Sequence, residues 1–296
     1  MTETTTVAED FRFLEAPRWR DGRLWFSDFY THQVVSMAED GSDLRVEAHV
    51  PEQPSGLGWL PDGRLLVVSM VDRKILRREP EGMLSVHADL GEHATGYTND
   101  MVVDGHGRAY VGNFGFDLMA GDPVETAALH RVDPDGQVTQ VADDLWFPNG
   151  SVITPENVLL VAETFGNRVT AFDVTDDGAL TDRRVWAEFG PLPTDRRVPE
   201  ALAQVAVAGD GCCLDAEGGL WVADATGDRL VRVVEGGRIT DEIKPGSPVY
   251  ACGLGGADGR TLFACAAPDF HEEARKAARE ARMLAIRVAI PGAPAR

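Results

Sequence analysis

One unit, a strand, a tight turn and a second strand, recurs six times along this chain, and that recurrence limits its fold more than any other feature. The clearest copy runs Asp210-Gly211-Cys212-Cys213-Leu214-Asp215-Ala216-Glu217-Gly218-Gly219-Leu220-Trp221-Val222-Ala223. An acid opens it, a short apolar strand follows, and an acidic Gly-containing turn sends the chain back along a second apolar strand, the pattern of a β-hairpin. Five more copies open at Glu15, Ser55, Asn99, Asn149 and Cys252, and the turn falls six or seven residues after the opening residue each time. Repeats of about 40 to 50 residues built mostly of strand are the signature of propeller blades. The expected fold is therefore all-β: a six-bladed β-propeller of four-stranded antiparallel blades around a central channel, a single domain over residues 1–296.

Ring symmetry gives the six opening residues equivalent radial positions around one axis. Glu15, Asn99, Asn149 and Asp210 offer two carboxylates and two amides, the hard oxygen ligands a Ca²⁺-like ion takes at roughly 2.3–2.6 Å with water completing its shell. The expected metal ligands are Glu15, Asn149 and Asp210, with Asn99 either bound directly or through water. A single Asn-Gly or Asp-Gly is most often only a turn. The weight here comes from recurrence at one phase of the repeat. The turn acids Asp21, Asp62, Asp104 and Asp258 fall at another phase and are read as turn formers, and the seven histidines miss the ring phase, which leaves a histidine-bound zinc or a Ser-His-Asp triad little support. Cys252 keeps the phase, but nothing beside it suggests an activated thiol.

Charge narrows the partners. A formal net charge of -20 disfavours nucleic acid and anionic membranes, which are gripped by clustered Lys and Arg, and favours cations. No apolar run is long enough to span a bilayer and the first residues lack a basic, apolar leader, so a cytoplasmic location is expected. Four cysteines, two of them adjacent, fit reduced and mostly buried thiols better than a disulfide framework. Oligomeric state stays open between a monomer and a small homo-oligomer.

Along the chain, Phe11 and Phe13 in a polar leader suggest a strand that joins the last blade and closes the ring. Phe114 to Ala128 is a longer excursion whose apolar side chains either line the channel mouth or cap the core. A second long connection from Trp186 to Gly209, with a short helix expected over Pro199 to Ala206, is a candidate lid. His271 to Arg282 reads as a solvated surface helix, Met283 to Val288 as a closing strand, and the last few residues as a loose tail.

An ion with open positions polarises a carbonyl or phosphoryl oxygen, and a ring carboxylate, Asp210 first, takes the proton of an attacking water. These residues carry a likeness. Glu15-Ala16-Pro17, Asn99-Asp100, Phe147-Pro148-Asn149-Gly150 and the Asp210-Gly211 motif together resemble the senescence-marker-protein, gluconolactonase and lactonase-like (regucalcin-like) family of six-bladed propellers. The resemblance implies hydrolysis of a lactone aided by one divalent ion: calcium first, with zinc, magnesium, manganese or iron as alternatives. It also implies a small-molecule lactone or ester as partner. The family's sugar lactonases carry an arginine two residues before the substrate-side asparagine, where this chain has Tyr97. With the apolar Phe114 to Met119 loop, this points to a substrate with fewer hydroxyls, positioned by Tyr97, Asn99, Phe116 and Trp146. Two other functions fit the same ring: phosphotriester hydrolysis of the diisopropylfluorophosphatase type, and non-catalytic calcium binding.

Overall fold

The computed structural model describes residues 4–294, and these form six four-stranded antiparallel sheets. Each sheet is a blade whose strands run outward from the axis in chain order, except that the first strand of the chain is the outermost of the last blade, so the expected six-bladed propeller is the fold. The innermost strands are Leu14–Arg20, Pro54–Trp59, Thr98–Val103, Pro148–Ile153, Gly209–Leu214 and Val249–Gly255. Burial falls from axis to rim. The second strands Leu65–Ser69 and Leu220–Asp224 are buried at every residue, because blades pack against both of their faces, whereas the rim strand Arg45–His49 is largely open. The apolar runs of the second strands follow from that two-sided burial, which is worth about 1.5–3 kcal/mol per large aliphatic side chain.

Aromatic contacts bind neighbouring blades. Trp19 of blade one stacks on Phe263 of blade six at 5.8 Å, and Trp25 meets Trp59 of blade two edge-on at 5.6 Å. The ring closes as expected: Thr4–Phe11 pairs antiparallel with Ala281–Arg287 as the outermost strand of blade six. Phe11 then packs edge-on against Phe26 of blade one. Closure leaves no unpaired edge between the first and last blades.

Three expectations need correction. The helix over 271–282 is only Glu272–Ala277, because Ala278 leaves helical dihedrals and Ala281 already belongs to a strand. Nor is it wholly solvated, since Arg275 is buried between Asp269 and Glu280. The end of the chain is not loose over 291–293: Ala216 N–H donates to the Pro291 carbonyl, Ala293 N–H to that of Leu214 and Gly292 N–H to that of Gly259. Residues 295–296 lie outside the described residues. The second long connection starts later than expected, as Trp186 belongs to the strand Leu180–Glu188, and its helix is Val198–Leu202.

Buried acids at the ends of three second strands hold the segments that lead into the axis. Asp28 accepts from Phe13 N–H at 3.1 Å, Glu163 from Trp146 N–H at 2.8 Å, and Asp224 from Ala208 N–H at 3.0 Å. Each acceptance fixes the backbone two or three residues before Glu15, Asn149 or Asp210. Glu163 also takes Arg168 at 2.8 Å and the Thr170 hydroxyl, and is fully buried. Glu163→Ala leaves a cation, a hydroxyl and a backbone donor without their acceptor, so it is expected to destabilise the protein by about 3 kcal/mol. Urea unfolding of the variant measures this, and a loss within the range of ordinary surface substitutions would rule the role out.

Candidate functional site

Every innermost strand carries a one-residue bulge after its first pair with the second strand. The first pairs are Leu14 with Asp28, Pro54 with Ser69, Thr98 with Asn113, Pro148 with Glu163, Gly209 with Asp224 and Val249 with Ala266, and the register shifts by one before the next aligned stretch. In blade one the shift follows Glu15 itself, and Ala16 there takes a φ of +51°. Bulges re-aim the side chains beside them. The equivalent residues at this kink are Glu15, Ser55, Asn99, Asn149, Asp210 and Tyr250. The sixth ring residue is thus Tyr250, not Cys252. Cys252 lies two positions further along, fully buried, at the level of Pro17, Leu57, Met101, Ser151 and Cys212. Its thiol is pushed up by burial and by its hydrogen bond with Cys213, which disfavours a nucleophilic thiolate.

Glu15, Asn99, Asn149, Asp210 and Tyr250 line one cavity at the channel mouth. Asn99 Nδ2 donates to Asn149 Oδ1 at 2.8 Å, Asn149 Nδ2 to Thr164 Oγ1 at 3.1 Å, and Thr164 Oγ1 to the Gly209 carbonyl at 2.8 Å. Ser55, the remaining ring residue, donates its hydroxyl to Asn99 Oδ1 at 3.1 Å, so it orients the amide beside it.

Both carboxyls are buried. Burial raises the Glu15 carboxyl well above the usual range, the Asp210 and Asp100 charges raise it further, and the Ala16 N–H and Arg18 pull it down. Burial likewise lifts Asp210 to about 8, against the opposing hydrogen bonds of Asn149 and the Gly211 N–H and with added repulsion from Asp100. Asp100, next to Asn99, is held by Arg18 Nη2 at 2.7 Å. Arg18 itself faces the cavity at the opposite end of the channel.

Among the described residues no three His, Cys, Asp or Glu side chains cluster as a metal site. The ring's own donor set is two carboxylates and two amide carbonyls. It fits a hard divalent ion on chemical grounds, because all donors are oxygens and the two acids resist ionising together without a cation to offset them.

The chamber above the ring is aromatic. Phe13, Phe29, Phe114, Phe147, Phe165 and Phe270 are on its wall. Leu118 and Met119 of the excursion in blade three and Leu202 of the short helix also line it. These two long connections are tied together, Val124 N–H donating to the Arg196 carbonyl at 2.7 Å and Arg196 Nη1 to the Val124 carbonyl at 2.8 Å. Both readings of the excursion hold at once, since Phe114 lines the chamber while Phe116 caps the core.

Three expected substrate contacts are not among the residues lining the chamber. Tyr97 packs against Phe114 at 6.0 Å, Phe116 against Phe147 and Phe165 at 6.1 and 5.7 Å, and Trp146 lies under the Arg196 guanidinium at 4.4 Å. Sequence reasoning missed Tyr250, Thr164 and the bracing acids Asp28, Glu163 and Asp224. The acids were visible, because Ser27-Asp28, Ala162-Glu163 and Ala223-Asp224 end the second strand at one phase of the repeat. Tyr250 was hidden because Cys252-Gly253 imitates the Asn-Gly and Asp-Gly pairs of the other blades.

Comparison with known proteins agrees with this architecture. The chain is 28% identical to regucalcin of Danio rerio over 265 residues, covering 84% of this chain and 81% of that one. It is 27% identical to the pentonolactonase XacC of Haloferax volcanii over 270 residues, covering 89% and 84%. The solved structure of a calcium-binding protein, regucalcin, from Agrobacterium tumefaciens superposes with a TM-score of 0.75 at 18% identity, over 100% of this chain and 98% of that one. The model of the SMP-30/gluconolactonase/LRE-like region matches residues 13–267, and the chain belongs to that family.

Proposed function

We propose that the protein is a metal-dependent hydrolase that opens a lactone or ester bearing few hydroxyl groups. The observation that carries this reading is the pairing of two buried, mutually repelling carboxylates with an aromatic chamber directly above them. A pentonolactonase among its relatives supports the reaction class. The wall of the chamber supports the departure from a sugar substrate, since a polyhydroxylated ring would leave most of its hydroxyls unpaired against phenylalanines.

In this reading Glu15, Asn149 and Asp210 hold the ion, and Asn99 stands beside it, oriented by Ser55. A divalent ion there supplies Lewis acidity toward a substrate carbonyl. Asp210 takes the proton from the attacking water. The bracing acids Glu163 and Asp224 keep Asn149 and Asp210 from swinging out of the ring. The aromatic wall sheds water from around the ester, which strengthens every charge interaction at the ring.

Chelation is expected to abolish turnover of apolar lactones, with recovery on adding one of calcium, zinc, magnesium, manganese or iron. In metal-saturated protein Asp210→Asn should lower kcat by about 10³-fold. A lactone, ester and phosphotriester panel with and without chelator checks both. Full activity after chelation, turnover confined to polyhydroxylated lactones, or turnover of phosphotriesters alone would sink the reading.

The raised carboxyls also set a pH dependence. Asp210 has an ordinary value of 3.8 and a folded value of about 8, so the stability tied to its proton is complete below the ordinary value and is lost as pH rises through about 8. Metal-free protein should therefore show a Tm that falls between about pH 5 and pH 8 and levels off above. Saturating calcium should restore Tm most at the alkaline end, and Asp210→Asn should flatten the slope. Scanning calorimetry across pH decides it, and a metal-free Tm that rises over that window contradicts the assignment.

A further inference from the structure

The sixth ring position has no counterpart in the expected ligand set. Blade order places Tyr250 between Asp210 of blade five and Glu15 of blade one, because blade six closes back onto blade one. Its side chain is 3% exposed and lines the chamber. Phe13 packs on its ring at 4.9 Å and Phe270 stands edge-on at 6.4 Å. Its hydroxyl has no hydrogen-bond partner among the described residues and is open to the chamber. Burial, and next the charge of Asp210, push its pKa up, so the group stays a protonated donor.

One N–H each of the Asn99 and Asn149 amides and the Thr164 hydroxyl are already given to protein acceptors. Tyr30 carries Lys276 over its ring at 6.0 Å, and Thr226 follows the second strand of blade five. Of the two hydroxyls at ring level, that of Ser55 is given to Asn99 and that of Tyr250 has no acceptor among the described residues.

An ester has two oxygens. If the carbonyl oxygen is held at the ring, the alkoxy oxygen is the one left to meet a donor on the wall beside Asp210. We propose that the Tyr250 hydroxyl donates a hydrogen bond to the alkoxy oxygen of a bound apolar lactone or ester, which makes it a catalytic residue. This rests on the hydrolase reading. Water oxygen forms the new bond to the acyl carbon, its proton passes to Asp210, the acyl carbon to alkoxy oxygen bond breaks, and the Asp210 proton ends on the departing alkoxide. Tyr250 keeps its own proton and steadies the charge that grows on that oxygen.

Tyr250→Phe in the metal-loaded protein is the test, since it removes the hydroxyl and keeps the ring packed against Phe13. Dihydrocoumarin, which releases a phenoxide, and its isomer isochroman-3-one, which releases a less stable benzylic alkoxide, fill the same space. The expected loss of kcat is about 100-fold on isochroman-3-one and far smaller on dihydrocoumarin, with Tm unchanged. Equal losses on the two isomers, or none on either, overturn the proposal. Wild-type protein inactive on every lactone and ester would sink the hydrolase reading instead. Binding of chroman, the matching cyclic ether with no carbonyl, then decides the donor by calorimetry: a weaker Kd in Tyr250→Phe supports it and an equal Kd overturns it.

Discussion

Six innermost strands converge on one axis at separations that, after Ser55, Asn149 and Asp210, leave no room for a Cβ. A Cβ placed on Gly150 would lie 2.4 Å from the Asp210 carbonyl oxygen, and one on Gly211 would lie 2.5 Å from Ala251 Cβ. Contacts that short do not occur between real atoms. The backbone must therefore be bare at the residue after Asn149 and after Asp210, and the bulge at that point turns the preceding side chain toward the channel. The same tight passage both closes the propeller and builds the ring of polar groups.

Convergence has an electrostatic consequence. It buries Glu15 and Asp210 with Asp100 near them, and Arg18 opposes the accumulated negative charge. Two carboxyls in this setting either keep protons or accept a cation. The bracing acids at the ends of the second strands face a milder situation, because Glu163 and Asp224 meet Arg168 and Arg229. Acids at two radii thus do different work, the outer ones fixing backbone and the inner ones remaining available to a ligand.

Reactivity and selectivity come from different parts of the molecule. The ring is contributed by the repeat itself, one residue per blade. The chamber above it is shaped by the two departures from the repeat, the blade-three excursion and the connection into blade five, which are joined through Val124 and Arg196. Loops that carry aromatic side chains can change what enters without disturbing the strands that hold the ring.

The residues alone were enough to give the number of blades, the closing role of the leader and five of the six ring positions, because a strand's alternation and a turn's Gly and Asp are local and repeat visibly. Packing decided the rest. Tyr250 took the sixth position because strand register is set by cross-strand hydrogen bonds around a bulge, which a Gly-based alignment of Cys252-Gly253 cannot sense. The pairing of 291–293 with blades five and six, and the absence of Tyr97, Phe116 and Trp146 from the chamber lining, also depend on partners far away in the chain. Local pattern reports which face a side chain leaves the strand on; only the assembled ring reports what already occupies the space it points into.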